Sequence, residues 1–373
     1  MLIIHRVQLR SFRNYESIDL HLGEKINLLC GDNAQGKTNL LEALYVCGTT
    51  RSFRHCPDNE MIMKNESEAH IQIESSSPVT DTRIDIHLVK NERKKIFIDQ
   101  LPVKKASQLI GKIKFIVFSP DDMALIKGGP SVRRNFLNLE ISQIEPVYLS
   151  DLSKYNHILR QRNQLLKDIK KDQNLKKTLD IWDEQIILYG CGIIKERMSF
   201  INKMNDVIKN IHRRLTEDSE NIEIVYKPSV SAEDYRARLT RARERDLLMA
   251  TTTVGPHRDD FIVNINGSDS KAYGSQGQKR TAALSIKLSE IELLRQQKNE
   301  EPVILLDDVF SELDQKRQRD LLSMIGDYQT IITCTQSEPF FDEIKADKRL
   351  FYVKEGHIRE IGGTNGTGRD TNQ

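Results

Sequence analysis

Eight consecutive residues, Gly31, Asp32, Asn33, Ala34, Gln35, Gly36, Lys37 and Thr38, have the spacing GxxxxGK[ST]. Glycines at both ends let backbone N–H groups converge on an anion. Lys37 has the reach and charge for the β- and γ-phosphates of a nucleotide, and the Thr38 hydroxyl suits Mg²⁺. The flanks agree. Residues 25–30 read as a strand. Leu40, Leu41, Ala43, Leu44 and Cys47 predict a helix from Asn39 onward, whose N-terminal dipole adds positive potential. The expected cofactors are ATP and Mg²⁺.

A second site lies far along the chain. Residues 303–306 are an aliphatic strand that ends in Asp307 and Asp308. An acid at a strand tip beside a phosphate loop holds the metal shell, so Asp307 is assigned to Mg²⁺ together with Thr38. Asp308 is then placed to orient or deprotonate the attacking water, although an acid after a strand can also be a helix cap. Lys37 and Asp308 are the candidate catalytic pair. Ser275, Gly277 and Gln278 precede a strong helical pattern over 281–297. Such a start is ordinarily a cap, and its glycine-containing turn also forms a second anion-binding helix start.

These groups need elements to carry them. Short alternating stretches at 2–10, 17–22, 69–75, 82–89 and 94–98 predict a strand-rich first part. Past Asp121 the period becomes helical. Tyr155, Ile158, Leu159, Leu165, Leu166 and Ile169 mark one helix face. A stripe of Ile194, Met198, Ile201, Met204, Ile208, Ile211 and Leu215 marks another, whose start Gly190 and Gly192 are expected to kink. Buried parallel strands return at 303–306 and 330–334. The layout predicts an α/β fold split by a helical insertion: 1–120 with 300–373 as one lobe, and 121–299 as the other. The Gly- and Asn-rich tail from 362 is expected to be disordered.

Composition narrows the classes. The 373 residues carry 56 Lys plus Arg against 54 Asp plus Glu, which excludes a simple basic-tail nucleic-acid binder but not a local basic surface. With 38% hydrophobic residues the chain is too apolar to be disordered. No apolar run approaches the roughly 18 residues of a membrane span, and the N-terminal stretch is broken by His5, Arg6 and Gln8, so the expected compartment is the cytoplasm. The five cysteines lack CxxC spacing, which fits free thiols better than zinc or disulfides. His5, His55 and His257 have no second ligand at zinc spacing.

Taken together, the phosphate loop, helical insertion, SQGQ helix start, aliphatic strand with two acids, and Ser311-Glu312-Leu313-Asp314 resemble an ATP-binding-cassette ATPase head of the SMC-like repair class. Within it the chain closely resembles the bacterial RecF family. The narrower likeness is carried by Phe12-Arg13-Asn14-Tyr15, residues 31–45, Arg51-Ser52-Phe53-Arg54, Phe118-Ser119-Pro120-Asp121-Asp122, Gly129-Pro130 with Arg133-Arg134, Gly255-Pro256-His257-Arg258-Asp259-Asp260, and residues 274–288. The resemblance implies an ATP-dependent homodimer. Ser275, Gly277 and Gln278 would contact the γ-phosphate bound by the other protomer, and Ser311 to Asp314 would lie at the dimer seam. Arg13 and Asn14 would lie near the nucleotide. It also implies DNA at single-stranded gaps, RecR and RecO as partners, help in loading RecA, and roles in replication and the SOS response.

Two departures from the wider cassette pattern bear on rate. Asp308 stands where a glutamate is usual, and Thr333-Cys334-Thr335-Gln336 replaces the usual switch histidine. The usual Q-loop glutamine has no evident counterpart near Asp121 and Asp122. Slow hydrolysis, with ATP acting as a switch, is therefore expected. A non-hydrolysing, ATP-holding DNA structural protein is the alternative. A transporter-type ATPase fits poorly beside the basic helical insertion.

DNA contact is assigned to that insertion. Residues 151–180 hold eight Lys or Arg (154, 160, 162, 167, 170, 171, 176, 177) against four Asp, and a second cluster comprises Arg236, Arg238, Arg241, Arg243 and Arg245. A solvated helix face is the plain alternative. With one Trp and no aromatic stripe, backbone-led binding is expected over base stacking.

Overall fold

The computed structural model describes residues 2–298, 301–335 and 347–363. It forms two compact units, Met1–Asp121 with Leu294–Gln373, and Asp122–Leu293.

In order, the first unit contains β1 (Ile3–Phe12), β2 (Tyr15–His21), β3 (Ile26–Cys30), α1 (Lys37–Thr49), α2 (Asp58–Met61), β4 (Glu68–Ser76), β5 (Asp81–Val89), β6 (Lys95–Ile98), β7 (Leu101–Pro102) and β8 (Phe115–Phe118). The second unit follows with α3 (Ala124–Lys127), α4 (Pro130–Ile144), α5 (Pro146–Ile169), α6 (Leu179–Thr216), β9 (Ile222–Lys227), α7 (Tyr235–Met249), β10 (Asp260–Ile265), β11 (Ser268–Asp269), α8 (Ser270–Tyr273) and α9 (Gln276–Lys298). The chain then returns to the first unit with β12 (Val303–Asp307), α10 (Gln315–Ile325), β13 (Thr330–Cys334), β14 (Lys348–Lys354) and β15 (His357–Gly363).

Two six-stranded sheets make the first unit, ordered β2-β1-β4-β5-β6-β7 and β15-β14-β3-β13-β12-β8. The first is an antiparallel meander-like sheet. In the second, β14, β3, β13, β12 and β8 run parallel, and β3, β12, β13 and β8 are buried at every residue, as strands covered on both faces must be. Helix α1 packs against strands of both sheets, and from Leu40 to Thr49 every residue is buried, so it is a central helix rather than a surface one. Gly48 permits that closeness: a Cβ there would stand 2.4 Å from the Phe115 ring. The amide of Gln329 ties the sheets together by accepting from Ile4 N at 2.7 Å and donating to Ile4 O and Gly23 O at 2.8 Å each.

The second unit is mainly helical, with the antiparallel sheet β11-β10-β9. Helix α6 runs unbroken through Gly190 and Gly192. Gly190 serves packing, since a Cβ would stand 2.4 Å from the Tyr235 ring. Met198 is 43% exposed and falls off the predicted stripe, while Ile194, Ile201, Met204, Ile208, Ile211 and Leu215 are buried on it. Two fully buried arginines pin the helices. Arg162 donates to Asp183 and Asp246 at 2.7 Å each, and Arg197 donates to Asp259 at 2.9 Å. Gly362 and Gly363 close β15, so the tail's expected disorder does not begin there; 364–373 lie outside the described residues.

Candidate nucleotide site

Strand register assembles this site. Leu29 of β3 pairs with Thr333 of β13, and Thr333 pairs with Asp307 of β12. Three adjacent parallel strands therefore end together and bring the 31–38 loop, Thr333 and the 307–308 acids to one edge, where open α/β sheets bind ligands. The cavity there has a volume of about 630 Å³. Its walls include Asn33, Ala34, Gly36, Lys37, Thr38 and Asp307.

Backbone geometry shapes the loop. Gly31 has φ +155° and Gly36 +119°, in the region that favours glycine, and Ala34 also adopts a left-handed φ of 64°. A Cβ on Gly31 would stand 2.3 Å from Val353 O, and one on Gly36 would stand 2.6 Å from Asn14 Nδ2. Helix α1 begins at Lys37 with no side-chain cap, leaving its first N–H groups to an anion. The Lys37 ammonium donates to Gly31 O and, at 2.9 Å, to Asp32 O. Gln35 is held from behind, accepting from the backbone N–H of Glu355 at 2.8 Å through its side chain and of Gly356 at 3.1 Å through its carbonyl.

At the strand tips, Thr38 Oγ1 donates to Asp307 Oδ1 at 2.7 Å, and Thr333 Oγ1 donates to the same oxygen at 3.0 Å. Burial pushes the Asp307 carboxyl above the usual aspartate range, and the two hydroxyls only partly offset it. A buried carboxylate short of positive charge, one hydroxyl away from a phosphate loop, fits a divalent cation. The donor set, carboxylate and hydroxyl oxygens, is the hard one Mg²⁺ prefers. Asp308 adopts φ 53° and donates its N–H to Thr333 Oγ1 at 2.9 Å, which turns its side chain toward the same cavity. Its carboxylate has no hydrogen-bond partner among the described residues and is open to accept from a water.

Arg13 and Asn14 both line the cavity. Arg13 spends its guanidinium elsewhere, donating to both oxygens of Glu42 at 2.8 and 2.7 Å. Asn14 braces the loop, donating to Gln35 O at 2.9 Å and accepting from Asn39 Nδ2 at 2.7 Å. Sequence reasoning gave no role to Arg54 or Lys64, two exposed cations on the cavity wall; Arg54 donates to Asn39 Oδ1 at 3.2 Å and lowers the Asp307 carboxyl electrostatically. Arg54 stands in the Arg51-Ser52-Phe53-Arg54 element, where an arginine shortly after a phosphate-loop helix was the available signal. Lys64 carried none.

Ser275, Gly277 and Gln278 lie in the other unit. Ser275 and Gln278 form a reciprocal capping box on α9: Gln278 Oε1 accepts from Ser275 N at 2.8 Å, and Ser275 Oγ accepts from Gln278 N at 3.2 Å. A Cβ on Gly277 would meet only Ser275 Oγ, at an ordinary 3.9 Å. Ser311 Oγ donates to Asp308 O at 2.8 Å, and Asp314 caps α10. The Glu312 side chain and Gln336 lie outside the described residues.

The basic clusters are less uniform than their spacing implies. Lysines 154, 167, 170, 171, 176 and 177 and Arg160 are exposed, but Arg162 is buried in its two ion pairs and is removed from any DNA surface. The segment is also not one helix, because α5 ends at Ile169 and Lys176 and Lys177 sit in a 3-10 turn. In the second cluster Arg236 pairs with Glu184, and Arg243 with Asp180 and Asp183. His257 is internal, bonded to Tyr155 and Thr252 O, and no group of potential metal ligands forms among the described His, Cys, Asp and Glu residues. No described helix is long and apolar enough to cross a membrane.

The RecF/RecN/SMC N-terminal domain family matches residues 3–359. A protein named DNA replication and repair protein RecF from Lachnospira eligens is 48% identical over 359 residues, spanning 96% of this chain and 99% of its own. One of the same name from Clostridium tetani is 39% identical, spanning 95% and 98%. Among solved structures, the recombination mediator protein RecF with ATP, of the RecFOR pathway, is 35% identical with a TM-score of 0.91, covering 97% of this chain and 98% of its own. An SMC head domain from Pyrococcus furiosus, 14% identical with a TM-score of 0.57 over 97% of this chain and 96% of its own, shares the fold alone. The fold is that of an ABC-type ATPase head with a helical second lobe.

Proposed function

Because the chain belongs to the RecF/RecN/SMC N-terminal domain family, and within it to the RecF proteins, we propose that it is an ATP-dependent DNA-binding protein of recombinational repair. The observation that carries the reading is the 2.7 Å bond between Thr38 and Asp307, two oxygen ligands brought together from opposite ends of the chain at the mouth of a phosphate loop. ATP lies along residues 31–38, with Lys37 leaving its loop carbonyls for the β- and γ-phosphates. Thr38 and Asp307 hold Mg²⁺, which supplies charge neutralisation at the transferred phosphate. Asp308 orients the attacking water. The aspartate is one methylene shorter than the usual glutamate, and this supports slow hydrolysis, with ATP acting chiefly as a switch.

ATP joins two copies, the helix start at Ser275, Gly277 and Gln278 completing the partner's phosphate pocket. The dimer engages DNA at single-stranded gaps in the cytoplasm, assists RecA loading with RecR and RecO, and supports replication and the SOS response. Two lobes divide the work: 1–120 with 300–373 carry the nucleotide, and 121–299 the helix start at Ser275, Gly277 and Gln278. The test is gel filtration and ATP turnover with ATP, ADP or no nucleotide, with and without duplex DNA. A dimer with ATP alone and turnover lost in Lys37→Ala are expected; a nucleotide-independent monomer overturns the switch. An ATP-dependent dimer without measurable turnover would select the non-hydrolysing alternative.

A further inference from the structure

Helix α4 carries a polar stripe that packing does not explain. Ser131, Arg134, Asn135 and Asn138 fall at i, i+3, i+4 and i+7, one face of the helix. They line a cleft shared with α5, α6 and the turn at Pro256 and His257, with Ser131 and Asn135 exposed and Arg134 and Asn138 half-buried. The cleft holds about 150 Å³, on the order of five water volumes, which admits a phosphate group.

Its chemistry is one-sided. No carboxylate lines it. The nearby acids are already committed: Asp259 to Arg197, Tyr226 and the Ser229 N–H, and Asp260 to Arg133 through two bonds of 2.6 and 2.9 Å. Arg134 donates once, to Asp259 O at 2.8 Å, and has no carboxylate partner among the described residues. Asn138 accepts through Oδ1 from Tyr148 at 2.9 Å and from Arg197 at 2.7 Å, which fixes its amide nitrogen as the unspent end. The side chains of Asn135, Asn156 and Ser131 make no hydrogen bond among the described residues. His257 adds no acceptor. Its Nε2 must donate to Thr252 O, and its Nδ1 then accepts from the Tyr155 hydroxyl at 2.6 Å. Burial beside Arg258 and Arg134 keeps the ring neutral, with its pKa lowered to about 4.

The cleft therefore offers an arginine with one donor spent on Asp259 O and the rest free, and three amides and a hydroxyl with their donors unspent, on a floor fixed by the buried Arg197. We propose that it is a second anion site, binding a phosphate group through Arg134, Asn135, Asn138 and Asn156. It is separate from the nucleotide loop and does not rest on the nucleotide reading. The phosphate is either a free phosphate or a phosphodiester of a nucleic-acid backbone, and both present the same oxygens.

The test uses the full chain with ADP and Mg²⁺ saturating the loop, titrated calorimetrically with inorganic phosphate and, separately, with a short duplex DNA. Arg134→Gln and Asn156→Asp are the variants, checked for unchanged thermal unfolding; Asn156 is exposed and Arg134 half-buried, so two independent lesions guard against a folding artefact. Loss of one charge-assisted contact is expected to weaken binding about tenfold or more. Lys37→Ala should retain phosphate binding, which separates this site from the loop. Weaker phosphate binding with unchanged DNA binding assigns a free phosphate. Weaker DNA binding, with or without a measurable phosphate effect, assigns a backbone phosphodiester. If both variants leave both affinities unchanged, the cleft is only a solvated polar face and the proposal is overturned. A chain that binds phosphate here but never binds DNA would overturn the DNA reading of the protein while leaving this site standing.

Discussion

Arg13 grips Glu42 with a two-pronged ion pair, Nε to Oε2 at 2.8 Å and Nη2 to Oε1 at 2.7 Å, and the Glu42 side chain is wholly buried. The pair ties the turn between β1 and β2 to the central helix α1, one residue from Asn14, which braces the phosphate loop. Its role is therefore to position that loop. Removing one partner of a buried pair leaves a stranded charge, so Arg13→Ala should cost about 3–5 kcal/mol in urea unfolding. Burial raises the Glu42 carboxyl, but Arg13 and Ser52 more than reverse this and hold it below the usual glutamate range. The pair's contribution is thus full above about pH 4.3, the ordinary glutamate value, and is lost as pH falls further. Arg13→Ala should lose that acid-side dependence. Equal stability of the two proteins at pH 7 would count against the positioning role.

Asp307 has the opposite sign. Burial holds its carboxyl above the usual aspartate range, so the folded state keeps the proton longer than the unfolded one. Ionising it costs stability as pH rises through that window. Without nucleotide, Asp307→Asn should be at least as stable as the parent at pH 7, since the amide oxygen still accepts from Thr38 and Thr333. With Mg²⁺ and ATP the order should reverse, because ligand at a hundred times its Kd stabilises the parent by about 2.7 kcal/mol and the variant by less. Thermal unfolding with and without Mg·ATP measures both. A variant that gains as much from Mg·ATP as the parent would remove Asp307 from the metal shell.

Much of this site was legible because its parts are local: eight contiguous residues for the loop and two acids after an aliphatic run. Their meeting was inferable only from the rule that ligands sit at the ends of parallel strands. The register that delivers it, Leu29 to Thr333 to Asp307, depends on tertiary pairing. Charge counting failed for the same reason. Arg162 looks like its basic neighbours, but helix phase and two distant acids, Asp183 and Asp246, place it in the core. β8 and β9 escaped the sequence reading: β8 is a four-residue buried run without alternation, whereas β9, Ile222–Lys227, alternates buried and outward residues and carried a local signal that was overlooked. Gly190, one of the two glycines expected to kink α6, marks a close contact with the Tyr235 ring, which no local pattern encodes.

Asp308 is expected to set the rate. Its left-handed backbone, anchored by Thr333, presents a short carboxylate to the cavity, and a shorter arm holds water less well. Turnover should fall below the median enzyme value of about 10 per second. Asp308→Asn should slow it further and leave ATP binding intact, since an amide cannot take the water's proton. The ATP-bound dimer should accumulate. Single-turnover hydrolysis at the parental rate in this variant would take the water-orienting role from Asp308.

Any DNA surface on α5 and the turn after it must now exclude Arg162. The exposed lysines 170, 171, 176 and 177 remain, with Lys170 also donating to Leu248 O at 3.0 Å. Reversing these four to Glu should weaken duplex binding and flatten its salt dependence, each lost phosphate contact removing about 0.9 from the slope of log K against log salt. Arg162→Glu should behave differently. It places a third carboxylate beside Asp183 and Asp246, so the chain should unfold at lower urea, and loss of DNA binding should follow loss of fold. Comparing the salt slope of the quadruple variant with the unfolding midpoint of Arg162→Glu separates a surface contact from a core one. If the quadruple variant binds duplex with the parental slope, the four lysines form a solvated face and the DNA contact lies elsewhere.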